Sequence, residues 1–158
     1  MKAKSVKNKS KDYIAESVRI QLIAEKRVKY NNDETLTTPS KVFSFLNLLF
    51  PNIQYEIQEH FFAIAMVQGN PVKAIDLHTG GEEKSIVSTS LVCRFALLSG
   101  ATKIIVAHNH PSGFLEPSND DIAVTTKLKH ALDTIGIPLI DHLLVSDNYY
   151  SFQEHGKI

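Results

Sequence analysis

The fourteen residues from His108 to Asp121, HNHPSGFLEPSNDD, constrain this chain more than any other stretch. They follow directly on Lys103 to Ala107 (KIIVA), an apolar, β-branched run that reads as a short buried strand. In extended backbone, residues i and i+2 point to the same side about 7 Å apart. His108 and His110 therefore share one side, and Asn109 faces away. Pro111, Gly113 and Pro117 turn the chain back, and Ser118 opens the next helix with Asp121 in its first turn. Ser118-x-x-Asp121 fits a capping box, in which the acidic side chain reaches back to the cap amide. It equally fits a carboxylate that joins the two imidazoles around one metal ion. Two neutral imidazoles and one carboxylate suit Zn²⁺ and leave a fourth position open for water, as in a catalytic rather than a structural site. The element such a site still needs is a general acid/base beside the water.

The elements around this segment follow from local signals. Thr38-Pro39 before KVFSFLNLLF predicts a capped helix that stops before Pro51. His60 to Val67 is apolar enough for a strand buried on both faces. Gly69-Asn70-Pro71 turns it into a second strand, Val72 to Leu77. A Gly80-Gly81 loop leads to Ser88, which caps a helix to Leu98 with Gly100 as its terminator. Asn119 to Thr134 is amphipathic, with Ile122, Val124, Leu128, Leu132 and Ile135 as its core face, and ends at Gly136. Leu139 to Val145 and Tyr149 to Phe152 read as strands around an Asp147-Asn148 turn. Ser17 to Ala24 alternates like a half-buried strand, and a helix over residues 13–27 is the competing reading. Strands interleaved with helices predict an α/β domain around one mixed sheet.

Charge divides the 158 residues in two. Formal net charge is zero, but residues 1–30 hold nine Lys/Arg against three acids, a net +6 that leaves −6 on the rest. The arm reads either as a solvated tail or as a contact for phosphates or an acidic partner. Cys93 is the one cysteine, so no internal disulfide and no CxxC pair exist, which fits a reducing compartment. The apolar run Phe61 to Val67 is far too short to span a bilayer. The lysine-rich start lacks the apolar core of a signal peptide, so the expected location is cytoplasmic, with no membrane partner.

H-x-H, seven residues, then S-x-x-D resembles the signature of the JAMM (MPN+/JAB) zinc metalloproteases, matched here by His108, His110, Ser118 and Asp121. HNHPSG with EPSNDD, then DHLLV (Asp141 to Val145) and YYSF (Tyr149 to Phe152), looks like the RadC branch of that superfamily. The resemblance covers about residues 38–158. It implies a three-layer α/β/α fold with a mixed curved sheet, of JAB/MPN, deaminase-like architecture. Residues 1–37 then form a basic arm and leading segment. They do not match the helix-hairpin-helix module of longer RadC proteins, and no DNA binding is carried over from that module. A zinc nucleobase deaminase needs H-x-E and PCxxC, and the chain has neither.

By resemblance, one Zn²⁺ per chain is held by His108, His110 and Asp121. An upstream glutamate in an E-x-F context serves as acid/base: Glu59 in Glu59-His60-Phe61, with Glu56 as the rival assignment. Ser118 is the expected donor to the oxyanion. The implied activity is hydrolysis of an amide bond in a peptide or protein substrate by a metallopeptidase or isopeptidase. The alternative is a DNA-repair or DNA-processing accessory role of the RadC type, with the arm as a nucleic-acid contact. A non-catalytic scaffold would generally lack these ligands. Asp141-His142 reads as a strand-end pair or as a group that orients a ligand imidazole.

Overall fold

A computed structural model of the chain describes residues 35–68, 70–77 and 87–158. The basic arm, the Ser17 to Ala24 segment, Gly69, and the Gly80-Gly81 loop lie outside the described residues. Helix α1 (Pro39–Leu49) starts where predicted: the Thr38 side chain accepts from the Lys41 amide, and proline fills the first helical position. A single turn of 3-10 helix (Ile53–Tyr55) leads to β1 (Phe61–Val67) and β2 (Asn70–Asp76). Helix α2 (Thr89–Ser99) is capped by Ser88 and closed by Gly100. Gly100 sits at φ +69°, a left-handed conformation that costs a residue with a Cβ about 1 kcal/mol. Strand β3 (Lys103–Asn109), helix α3 (Asn119–Thr134), β4 (Leu139–Val145) and β5 (Tyr149–Ser151) complete the order.

The strands form one sheet in the order β2-β1-β3-β4-β5. All neighbours are antiparallel except β3 and β4, which run parallel because α3 returns the chain between them. Period-2 alternation then sorts the sheet into two cores. Phe61, Ala63, Ala65, Ile104 and Val106 pack with α2 and α3 on one face. Phe62, Ile64, Ile105, Ala107, Leu143 and Val145 pack with Val42, Phe45 and Leu46 of α1 on the other. This is the expected three-layer arrangement with a mixed sheet. Cys93 packs against the first core as a partly buried side chain.

One expectation needs correction. Ile122 is 38% exposed, and the stripe that α3 buries is Asp121, Thr125, Leu128 and Leu132. The first turn of that stripe is polar rather than apolar, so the expected face holds at Leu128 and Leu132 and fails at Ile122 alone. Val124 and Ile135 flank it, partly buried.

Asp141 ties β4 to the end of the chain. It is buried, and its Oδ1 accepts from the amides of His142 (2.7 Å) and Gln153 (3.0 Å). Its Oδ2 accepts from the Ser151 hydroxyl at 2.6 Å. Burial raises its pKa above the ordinary carboxylate value, against the pull of these donors. The native state thus holds the proton to higher pH than the unfolded chain, and the group's contribution to stability falls as pH rises through that interval. Asp141→Asn keeps the acceptor for both amides and removes the buried charge, so it costs less than about 1 kcal/mol at pH 7. Asp141→Leu strands three donors and costs about 3 kcal/mol or more. Urea melts of both variants check this; equal losses would show that the carboxylate fills space rather than accepting hydrogen bonds.

Candidate metal centre

Register builds the centre. Phe61 pairs with His108 across β1 and β3, and His108 pairs with Leu144 across β3 and β4. His108 therefore lies on the α3 side near the strand end, 2% exposed. His110 stands just beyond, its amide bonded to the Val145 carbonyl at 2.8 Å. The turn that follows relies on Gly113, at φ +81°. Its amide donates to the His110 carbonyl at 2.9 Å. Asp121 enters from the first turn of α3.

The three side chains converge. His108 Nε2 lies 2.9 Å from His110 Nε2 and 3.1 Å from Asp121 Oδ1, and His110 Nε2 lies 3.7 Å from Asp121 Oδ2. All three ligand atoms fall within 4.8 Å of one another. His110 Nδ1 lies 2.5 Å from the Phe114 carbonyl, which can only accept. The proton of a neutral His110 is thus on Nδ1, and its Nε2 lone pair faces the other two ligands. Two imidazole nitrogens and a carboxylate oxygen this close fit a divalent cation such as Zn²⁺, which prefers that donor set.

The Ser118-x-x-Asp121 capping box is realised, and the same carboxylate faces the two imidazoles. The Ser118 side chain accepts from the Asp121 amide at 3.2 Å, while Asp121 Oδ2 accepts from the Ser118 amide (2.7 Å) and hydroxyl (2.6 Å). The capping box fixes one carboxylate oxygen and leaves Oδ1 toward His108. Burial works against the Asp121 charge, but the neighbouring His108 and His110 imidazoles and the Ser118 donors outweigh it and hold the carboxyl well below its usual range. The Asp121 carboxylate, which the protonated ring can bond, raises the His110 pKa more than burial lowers it.

Glu59 stands at the mouth of the site, 44% exposed, with Oε1 3.6 Å from His108 Nε2. Glu56 is exposed and lines neither opening to the centre. The larger opening is a cleft of about 720 Å³ with Glu59, Phe61, Val87, His108, Asp121, Val124 and Lys127 in its wall. A smaller one of about 250 Å³, on the side of His110 and Ser112, shares Glu59, Ser118 and Asp121. Among the described residues, the centre thus has an opening on each side of the histidines.

Two features were not legible in the motif. Asn109 does face away from His110, but its amide brackets Glu59. Its Oδ1 accepts from the His60 amide at 2.6 Å and its Nδ2 donates to the Gln58 carbonyl at 2.9 Å. His60 is held in turn by Asp76, Nδ1 to Oδ2 2.7 Å. The other feature is His142, fully buried behind His108, with Nε2 2.8 Å from His108 Nδ1. Of the Asp141-His142 pair, His142 is the one that touches a candidate ligand imidazole, and Asp141 ties β4 to the end of the chain.

Comparison with known proteins agrees with the fold. The family model described as RadC-like JAB domain matches residues 36–157. A UPF0758 protein of Streptococcus uberis is 39% identical over 103 residues, 64% of this chain and 46% of the relative. One from Rubrobacter xylanophilus is 33% identical over 124 residues, 78% of this chain and 53% of the relative. One from Coprothermobacter proteolyticus is 29% identical over 143 residues, 86% and 61% respectively. The chain thus spans about half the length of the curated relatives it matches, and their names state no activity. Among the described residues, no helix is long and apolar enough to cross a membrane. With the family match running from before α1 to the last turn, this chain belongs to the RadC-like JAB domain family.

Proposed function

We propose that this chain is a zinc-dependent amide hydrolase, a metallopeptidase or isopeptidase acting on a peptide or protein. The observation that carries the reading is the convergence of His108, His110 and Asp121 beside a carboxylate at the cleft mouth, Glu59. A Zn²⁺ ion on those three ligands supplies Lewis acidity, which brings the pKa of a hydrolytic water toward neutral. Glu59 accepts the proton of the attacking water and delivers it to the departing amine. The Ser118 hydroxyl turns from Asp121 to the substrate carbonyl oxygen as that oxygen gains charge, a donation worth about 3 kcal/mol when preorganised. Asp121 keeps its second anchor, the Ser118 amide, while this happens. Incubation of the zinc-loaded protein with a broad peptide library in H₂¹⁸O tests the reading. It expects new carboxyl termini that carry ¹⁸O and vanish with chelator; products that persist with chelator would refute it.

Asn109 holds the base in place in this scheme. Asn109→Ala releases the Gln58 and His60 backbone, lowers kcat about tenfold through misplacement of Glu59, and leaves metal content unchanged. Loss of metal from this variant, measured by atomic emission, would instead assign Asn109 to the ligand scaffold.

One observation favours a second reading, a DNA-processing accessory role: the net +6 of residues 1–30. On that reading DNA binding weakens steeply with salt and is lost on deletion of residues 1–11. Binding that is insensitive to salt or to the deletion counts against it.

A further inference from the structure

We propose that His142 and Thr125 act as positioning residues that fix His108 in the tautomer whose Nε2 lone pair faces the metal. The inference rests on the metal-centre reading and deepens it. It follows from counting protons along a buried chain of hydrogen bonds.

Thr125 lies one helical turn after Asp121, buried, with its Oγ1 2.5 Å from the Asp121 carbonyl. A carbonyl can only accept, so an oxygen–oxygen contact of this length places the single hydroxyl proton between them. The same Oγ1 lies 2.6 Å from His142 Nδ1. Its proton already committed, the hydroxyl receives this second bond, and His142 carries N–H at Nδ1. His142 is 0% exposed. A neutral imidazole protonated at Nδ1 has only a lone pair at Nε2. The 2.8 Å contact between His142 Nε2 and His108 Nδ1 is therefore donated by His108. That leaves the His108 lone pair on Nε2, the atom beside His110 Nε2 and Asp121 Oδ1.

Packing keeps the His142 ring from turning over and exchanging its edges. Its face stacks on Phe152 at 4.9 Å and 17°, and Phe61 meets it edge-on at 5.5 Å and 63°. The chain of bonds ends on the backbone of Asp121, so two candidate ligands from different elements, β3 and α3, are joined by two hydrogen-bonding side chains. A solvated imidazole exchanges freely between its two neutral tautomers; this one does not, and no reorganisation is left for the moment of metal binding.

Long-range ¹H–¹⁵N correlation spectra of the ¹⁵N-labelled, metal-free protein at pH 8 test the assignment without any catalytic assay. Wild type is expected to show His108 and His142 both protonated at Nδ1, with unprotonated Nε2. Thr125→Val removes the acceptor for His142, so both rings invert, and Zn²⁺ affinity by chelator competition falls about 10- to 100-fold. Thr125→Ser restores the wild-type spectrum and affinity. His142→Gln, whose carbonyl can accept from His108 and whose NH₂ can donate to Thr125, keeps affinity within about threefold, whereas His142→Leu loses it as Thr125→Val does. Circular dichroism melts establish that each variant is folded. A wild-type spectrum with the proton on His108 Nε2 overturns the proposal, as does a folded Thr125→Val protein that binds Zn²⁺ as tightly as wild type. Wild type that takes up no metal overturns the metal-centre reading instead, and the metal-free spectra still decide the tautomer.

Discussion

Glu59→Gln lowers amide hydrolysis about 10³-fold at unchanged metal content. Glutamine matches glutamate in size and can still point toward His108, but it cannot take up a proton at the attacking water. The side chain is at the cleft mouth, and neither ligand histidine depends on it for a structural hydrogen bond: His108 is held by His142 and His110 by the Phe114 carbonyl. The substitution therefore separates chemistry from binding. kcat falls while KM and Zn²⁺ stoichiometry hold, which steady-state rates beside metal analysis will read out. Glu56→Gln serves as the control, because that carboxylate lines neither opening, and it should retain the wild-type rate. A Glu59→Gln protein of undiminished rate would remove the base from the scheme.

His108→Ala and Asp121→Ala each abolish both metal retention and turnover, with bound Zn²⁺ falling from about one per chain to below about a tenth. The two variants fail for different local reasons. Removing His108 leaves His142 Nε2 without its donor inside the core and takes away the central nitrogen of the group. Removing Asp121 also opens the capping box of α3, so the Ser118 amide loses its acceptor; a cap of this kind is worth about 1 kcal/mol. Asp121→Ala should therefore melt somewhat below wild type even as metal-free protein. Acid acts on the same centre. Imidazoles bind metal only when deprotonated, and Asp121 raises the proton affinity of His110 above that of a free imidazole. Asp121 itself stays ionised. Metal release on acidification is therefore expected through proton competition at the imidazoles, and bound Zn²⁺ measured as pH is lowered checks it. Full metal retention by either alanine variant would sink the ligand assignment.

Acid also bears on the fold through His142. Burial, with His108 and His110 adding to it, pushes its pKa well below 6.5. The unfolded chain then binds the proton first, so stability is intact above pH 6.5 and is lost as pH falls below it. This runs opposite to Asp141, whose raised pKa makes its contribution greatest in acid.

Much of the fold was legible in the sequence because its signals are local. Thr38-Pro39, Ser88 with Gly100, and Ser118 with Asp121 mark three helices by backbone groups within one turn. The apolar runs of β1, β3 and β4 likewise declare themselves by length and β-branching. The convergence of His108 and His110 needed only the period of an extended strand. What stayed hidden depends on register between strands far apart in sequence. Asn109 reaches Gln58 and His60 across β1 and β3, and His142 comes to lie beside His108 only through the parallel pairing of β3 with β4. Thr125 was invisible for another reason. A threonine on the buried stripe of a helix reads as a flaw in an apolar pattern until the histidine it accepts from is in place. The expected core position at Ile122 fails for the same cause, because α3 gives its first turn to the site.

On the proposed reading, amide hydrolysis by this chain needs a metal held by His108, His110 and Asp121. Its most direct test is turnover of a cleavable peptide by metal-free protein as Zn²⁺ is titrated in. No hydrolysis is expected without metal, and the rate should rise to a plateau at about one equivalent per chain. Hydrolysis that is equal with and without metal would contradict it, as would a fully zinc-loaded chain that cleaves no member of a broad peptide library.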